Sequence, residues 1–434
     1  MKKNMKSRLS LLAVLLCLAF LPLSLFTSCS KDPLTYTYLG DGTCAVASCD
    51  HEAEEAVIPE THRGMPVVAI GAEAFRGCSY LVSITIPETV TEIGKSAFAE
   101  CYGLTEITLP SSLTTVGNNA FFACTKLTSI VIPESVESID ENAFSNCKVL
   151  QSVTLPSGID GIPAYAFAGC LNLENVNIPS GITFIGESAF KECRKLKNVP
   201  LPEGLLSIGD NAFNNCDSLE EIRLPSTLEY FGMGALALTP YYENSLSGAP
   251  GGLLINNGWL IRADAELAGD VEVPAGVTHI AVNAFTSCAS VTSVTVPEGV
   301  VYMGDSAFSS CPALRKVVLP STLKAVPAHA FSKDAALTDL DLGGVTSIES
   351  YAFIGCNFLA DVTIPASVKE ISPYAFNSGA GLVHLYFEIT EGWYNKTSAD
   401  ALSGAPVDPA LLADPSEAAF RIASDYNGRV LYRD

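Results

Sequence analysis

Cysteine and histidine are the side chains that could supply nucleophilic, redox or metal-binding chemistry here, and the 434 residues contain 14 cysteines and five histidines. Ten of the cysteines stand three residues after the phenylalanine of an Ala-Phe pair. This set, the cysteine ladder, consists of Cys78, Cys101, Cys124, Cys147, Cys170, Cys193, Cys216, Cys288, Cys311 and Cys356. Because no Cys-x-x-Cys pair occurs, the spacing gives no support to a metal centre. We expect free, buried thiols that pack as small hydrophobic groups.

Disulfides within the ladder are the alternative. Cysteines of neighbouring coils would have Cα atoms about 4.8 Å apart, which is inside the range of about 4.4–6.8 Å that a disulfide needs. Two observations favour free thiols: a ladder points its side chains the same way, and Asp334 and Gly379 fill the cysteine slot without leaving an orphaned partner. Cys44 and Cys49 lie outside the ladder and flank a short segment, so they are the candidate disulfide.

The remaining chemistry-bearing residues form no catalytic or metal-binding pattern. The histidines are scattered without zinc spacing, and we expect them to be solvated: His51, His62, His279, His329 and His384. The segment Gly232–Ala237 fits G-x-G-x-x-A, but Gly232 occupies a position where the repeats described below carry glycine, and no βαβ unit surrounds it. We therefore expect no enzyme activity, no metal and no cofactor.

A repeat of 23 residues positions these side chains. One unit runs LVSITIPETVTEIGKSAFAECYG from Leu81 to Gly103, and the phenylalanines and prolines keep the same step as the cysteines. Ile84 and Ile86 alternate with Thr85 as in a half-buried strand, and Pro87 ends that strand because proline cannot donate to a ladder. One such unit buries too little to fold alone, so neighbours must stack. The sequence predicts a β-rich solenoid with parallel strands and short turns.

The template L-x-x-I-x-I-P…I-G-x-x-A-F-x-x-C resembles the BspA-like class of leucine-rich repeat over roughly residues 57–387. The resemblance implies a parallel-stranded solenoid, display on a bacterial cell surface, and adhesion to host or bacterial surface proteins. It assigns no catalytic residue.

The order of motifs indicates two tandem arrays. Segments with hairpin patterns precede each run of repeats, and each run ends in an aromatic pair followed by Leu-Ser-Gly-Ala-Pro. We predict a hairpin cap plus first array over 34–250, a second hairpin plus second array over 251–406, and a terminal hairpin over 407–434 around Asn427-Gly428. Such caps cover the open sheet edges of a solenoid.

The N-terminal segment has the pattern of a secretory signal: four cations, an apolar run, and Phe26-Thr27-Ser28 before Cys29. Small residues before a cysteine resemble a bacterial lipobox. We therefore expect removal of residues 1–28, lipidation of Cys29, a short linker over 29–33, and anchoring by acyl chains at the outer cell surface, in the outer membrane. An ordinary secreted protein cut nearby is the alternative.

Charge excludes one class of partner. The chain carries a formal charge of −22, which becomes −26 once the four cations of the signal are removed, so it cannot neutralise nucleic-acid phosphates. The function hypothesis is a lipid-anchored, non-catalytic recognition scaffold for protein partners. A glycan-binding component of a polysaccharide-uptake system and a passive surface protein are the alternatives. The candidate binding anchors are aromatic: Tyr241, Tyr242, Trp259, Trp393 and Tyr394.

Overall fold

The computed structural model describes residues 33–246, 249–377, 381–396, 405–424, 426 and 428–433. Several predictions fall outside these residues: the signal over 1–28, lipidation at Cys29, the cysteine-slot residue Gly379, the second Leu-Ser-Gly motif over 402–404, and Asn427. Among the described residues, no helix has the length and apolar character needed to cross a bilayer.

The described chain consists mainly of short strands. In chain order they are β1 (Leu34–Tyr38), β2 (Cys44–Cys49), β3 (Glu55–Val57), β4 (Thr61–His62), β5 (Met65–Ile70), β6 (Ser83–Thr85), β7 (Glu92–Ile93), β8 (Thr115–Val116), β9 (Ser129–Val131), β10 (Ser138–Ile139), β11 (Ser152–Thr154), β12 (Gly161–Ile162), β13 (Asn175–Asn177), β14 (Phe184–Ile185), β15 (Ser207–Ile208), β16 (Tyr230–Phe231), β17 (Leu253–Asn256), β18 (Trp259–Ala263), β19 (Ala268–Glu272), β20 (His279–Ile280), β21 (Ser290–Thr295), β22 (Tyr302–Met303), β23 (Lys316–Val318), β24 (Ala325–Val326), β25 (Asp339–Asp341), β26 (Ser347–Ile348), β27 (Asp361–Ile364), β28 (Glu370–Ile371), β29 (His384–Phe387), β30 (Trp393–Lys396), β31 (Ala405–Pro406) and β32 (Val430–Arg433). The helices are α1 (Pro240–Asn244), α2 (Pro409–Ala413) and α3 (Pro415–Ala423).

Each coil of the repeat supplies up to two strands, and equivalent strands of successive coils pair in parallel. The strands before the repeat proline build the first ribbon, in which β9, β11 and β13 pair through identical repeat positions. The strands before the repeat glycine build the second ribbon, for example β12, β14, β15 and β16. The predicted solenoid of parallel strands is therefore confirmed.

Each array has its own core, in which one side chain from each repeat position stacks on the equivalent side chain of the next coil. Phe75 through Phe213 lie ring on ring, with centroids 5.0–5.5 Å apart. A second stack runs from Phe285 to Phe376 at 4.8–5.5 Å. Leu236 occupies the phenylalanine position between the two stacks and is buried. Because each ring contacts its neighbours above and below, every coil depends on the adjacent coils for its burial.

The short unit over 337–358 needs glycine where the other coils have a proline turn. Gly343 has a φ of +56°, and a Cβ there would lie 2.4 Å from the carbonyl oxygen of Leu319. No other residue meets both demands without moving the neighbouring coil.

Antiparallel hairpins open both arrays, as the sequence predicts. Strands β1 and β2 pair antiparallel, and β2 continues into the second ribbon through β5. The middle hairpin of β17 and β18 repeats this arrangement through β20. Its two faces belong to different cores: Trp259 and Ile261 pack with the first array, while Leu260 and Ala263 pack with the second. The hairpin therefore lies between the two arrays and contributes side chains to the core of each.

The predicted terminal hairpin is wrong. Residues 415–423, which include the expected strand around Phe420, form helix α3. The Asp414 carboxylate accepts hydrogen bonds from the N–H groups of Ser416 and Glu417, and Pro415 stands at the first helical position. These features start a helix because they satisfy amides that have no partner within it. Strand β32 pairs instead with β28 and β30, antiparallel in both cases.

Candidate binding surface

The ladder cysteines are free, buried thiols. In most coils the sulfur donates to the carbonyl oxygen of the phenylalanine 26 residues earlier, as from Cys124 to Phe98 at 3.2 Å. Burial raises the pKa of the Cys101 and Cys216 thiols to about 12. Because the thiolate is the reactive form, these groups are poor nucleophiles at neutral pH. Their geometry assigns the ladder to packing and hydrogen bonding within the solenoid.

The candidate disulfide between Cys44 and Cys49 is wrong. The two residues begin and end the same strand, β2, and both are buried. Five steps along an extended strand place their Cα atoms about 16 Å apart, whereas a bridge requires less than about 7 Å. The segment between them is therefore not the short loop that the sequence suggested.

The histidines are separate from one another, and several stack on aromatic rings. His62 stacks on Tyr36 at 3.9 Å, and His279 stacks on Trp259 at 4.5 Å. His279 is half-buried, and that burial lowers its pKa, so the expectation of a fully solvated ring is wrong for this residue. Within the described ranges, no cluster of three or more His, Cys, Asp or Glu side chains has a metal-binding arrangement.

The aromatic anchors expected from the sequence lie against the caps. Trp259 and Trp393 are 1% and 2% exposed, and their indole N–H groups donate to the carbonyl oxygens of Leu228 and Ile389. The proposal that these two rings contact a partner is therefore wrong.

The three tyrosines of that set are half-buried. Tyr241 accepts a hydrogen bond from the Asn256 amide at 2.7 Å, Arg262 lies over the ring of Tyr242, and Tyr394 stacks on Tyr432. Each ring therefore has an intramolecular partner on the face or hydroxyl that a ligand would use.

A strip of outward side chains runs along the first ribbon, as the alternation predicts. We call it the outer strip; apart from the half-buried Val318, its members are exposed. It consists of Thr85, Thr108, Val131, Thr154, Asn177, Pro200, Arg223, Thr295, Val318, Asp341, Thr363 and Tyr386.

The outer strip is interrupted by a groove near its N-terminal end. Residues 104–109 form no strand, so β6 and β9 flank a segment that does not join the ribbon ladder. The groove there has a volume of about 700 Å³ and is lined by Thr85, Thr108 and Val131 with Glu106. Val131 is 66% exposed. This strip groove combines an apolar contact, hydroxyls and a carboxylate on one rigid face.

A second groove lies where the two arrays meet, on the second ribbon. This joint groove of about 380 Å³ is lined by Tyr230, Tyr302, Asp305, Glu349 and Lys324, together with apolar side chains. Sequence reasoning missed it because its residues come from coils far apart in the chain. The available signal was that Tyr230 and Tyr302 occupy the same repeat position, the outward one of the second ribbon, which elsewhere is often small.

Comparison with known proteins identifies the repeat. A family model described as the BspA type leucine rich repeat region matches in six copies, over residues 53–170, 160–246 and 267–382. A search of curated proteins found no match.

Two solved structures are similar over most of the chain, and a third is similar over less than half of it. A leucine rich cell surface protein from Faecalibacterium prausnitzii is 31% identical, over 82% of this chain and 94% of that one, with a TM-score of 0.45. A leucine-rich repeat protein from Bacteroides ovatus is 28% identical, over 82% and 93%, with a TM-score of 0.50. The leucine-rich repeat protein of T. pallidum is 32% identical, over 43% and 88%, with a TM-score of 0.41.

Proposed function

The chain belongs to the BspA-type leucine-rich repeat family, and on that premise we propose that it is a non-catalytic recognition scaffold that binds protein partners at the bacterial cell surface. The observation that carries this proposal is the outer strip with its strip groove. It offers many small, exposed side chains on a solenoid in which each array has a stacked core.

Rigidity supports binding by such a face. Val131, Thr154 and Asn177 of the strip lie in strands that pair in parallel between coils, so a partner that contacts these coils orders little of the scaffold on binding. Small side chains also let a partner approach the backbone closely, and the carboxylate of Glu106 and the hydroxyl of Thr108 offer polar contacts beside Val131.

Surface location is supported by the F. prausnitzii relative, which is described as a cell surface protein. We include anchoring through lipidated Cys29 in the proposal, on the strength of the lipobox-like segment. Protease treatment of intact cells tests the location: digestion of the protein is expected, and protection would place it inside the envelope.

Binding of matrix proteins and of glycans, measured side by side, tests the function. Val131→Arg places a long cation in the strip groove, whereas Val82→Arg makes the same change at an exposed position outside it. We expect protein ligands to bind, with a loss of about tenfold or more in Val131→Arg and wild-type affinity in Val82→Arg. Exclusive binding of glycans, or equal affinities for both variants, would refute the proposal.

A further inference from the structure

The joint groove gathers acidic and aromatic side chains from coils on both sides of the middle hairpin. Tyr230 belongs to the last part of the first array, whereas Tyr302 and Asp305 belong to one coil of the second array and Glu349 to another. Tyr230 is 42% exposed, so part of the residue is open to solvent. The groove therefore exists only when both arrays are stacked on the shared hairpin.

The carboxylates that line or flank this groove outnumber the cationic side chains that line it. The hydroxyl of Tyr230 donates to the Asp210 carboxylate at 3.0 Å, which leaves that negative charge beside the groove. Burial, and after it the neighbouring Asp305 carboxylate, raise the pKa of Glu349. Burial and then Asp305, Glu349 and Asp210 raise the pKa of Tyr302. Negative charges thus converge on a partly desolvated site.

The cation that lines the groove is engaged elsewhere. Lys324 is exposed, and its ammonium lies 3.5 Å from the carbonyl oxygen of Ser321. None of the ion pairs found among the described residues involves Asp305 or Glu349. A cationic group entering the groove would relieve the repulsion between these carboxylates.

We propose that the joint groove binds an arginine or lysine side chain of a basic segment in the protein partner. The carboxylates of Asp305 and Glu349 pair with the cation, and the rings of Tyr230 and Tyr302 contact its planar or aliphatic part. This inference rests on the proposed function, because it names the chemistry of a partner that the scaffold recognises. The acidic charge of the whole chain steers such a segment toward the surface, and the groove provides the specific contact.

The test uses the full chain and an octa-arginine peptide, with the octa-citrulline peptide as an uncharged match in size and hydrogen bonding. The variant Asp305→Asn/Glu349→Gln removes the two groove charges. The variant Glu92→Gln/Glu137→Gln removes two exposed charges of the first array, in β7 and next to β10. Both variants change the net charge by the same amount, so a difference between their affinities reports specific binding in the joint groove and not attraction by the net charge of the chain. Affinity is measured by calorimetry at low and at physiological salt.

We expect octa-arginine to bind and octa-citrulline not to bind. The groove variant should lose about tenfold or more in affinity, and the control variant less than about twofold. Tyr302→Phe should keep most of the affinity, because it retains the ring that contacts the cation. Thermal melting checks folding, and removal of mutually repelling charges should not lower the melting temperature.

Equal losses in the two double variants would overturn the proposal, since attraction would then be general. Tight binding of octa-citrulline would overturn it as well, since charge would then be irrelevant. A failure here leaves binding at the strip groove intact, as reported by Val131→Arg. Conversely, equal affinities of Val131→Arg and Val82→Arg for protein ligands would refute the proposed function while octa-arginine still bound the joint groove.

Discussion

Asp334 occupies the cysteine position of its coil, and this exception makes stability depend on pH. The residue is fully buried. One carboxylate oxygen accepts the N–H of Cys311 at 2.7 Å, and the other finds no hydrogen-bond partner among the described residues. Burial raises the pKa of Asp334 from 3.8 to about 8. The folded protein therefore holds this side chain as the neutral acid up to mildly alkaline pH.

The sign of the effect follows from proton linkage. Above pH 3.8 the unfolded chain releases the proton of Asp334, while the folded chain keeps it until the pH reaches about 8. The contribution of Asp334 to stability is therefore greatest at acidic pH and falls as the pH rises through this window. At about 1.4 kcal/mol per tenfold change in proton concentration, the loss between about pH 5 and pH 8 is about 4 kcal/mol.

The substitution Asp334→Asn removes the titration and keeps the shape and the acceptor for Cys311. Between about pH 5 and pH 8, we expect the free energy of unfolding of wild type to fall by several kcal/mol more than that of the variant. Asp160→Asn, the same change at an exposed position, is the control and should follow the wild-type curve. Urea denaturation at a series of pH values measures the difference. Hydrogen exchange of the Cys311 amide gives a local readout that does not require the arrays to unfold together. Parallel curves for wild type and Asp334→Asn would refute the assignment of a buried neutral acid.

Three further perturbations test the packing. Phe144→Ala removes a ring stacked between two others and should lower the free energy of unfolding in urea by about 3–5 kcal/mol. The control Phe420→Ala, at a residue that is 60% exposed, should lower it by less than about 0.5 kcal/mol. Equal losses would contradict the stacked core. Asp414→Ala removes the N-cap of α3 and should destabilise the C-terminal cap by about 1 kcal/mol, seen as faster hydrogen exchange there, and unchanged exchange would argue against the cap. Iodoacetamide at neutral pH should leave the twelve described cysteines of the native protein unlabelled and should label them after unfolding in urea without reductant. Labelling of the unfolded chain that also requires a reductant would instead reveal disulfides.

The repeat fold could be predicted in detail because each coil contacts mainly its neighbours. Ile84, Ile86 and Phe98 point inward in their own unit for local reasons, and stacking then reproduces the same environment in every coil. The outer strip follows from the same alternation. The antiparallel openings of both arrays were also predictable, since Asn-Gly and Gly-Asp-Gly segments separate alternating strands.

The ends and the joint could not be predicted in the same way. The Asn427-Gly428 pair is a turn signal that favoured a hairpin, whereas Asp414-Pro415 is a helix-start signal, and residues 415–423 form a helix. Trp259 was predicted to be an exposed anchor, but its position in the middle hairpin places its side chain in the core of the first array. The joint groove depends on how Tyr230 and Glu349, more than one hundred residues apart in sequence, approach across that hairpin.

Photo-crosslinking to a protein partner tests the central claim most directly. A photoreactive residue replaces Thr108 in the strip groove, and the control replaces Lys126, which is exposed but does not line that groove. Recognition through the outer strip predicts that the partner crosslinks from position 108 and not from position 126. Equal crosslinking from both positions, or crosslinking from position 126 alone, would contradict it.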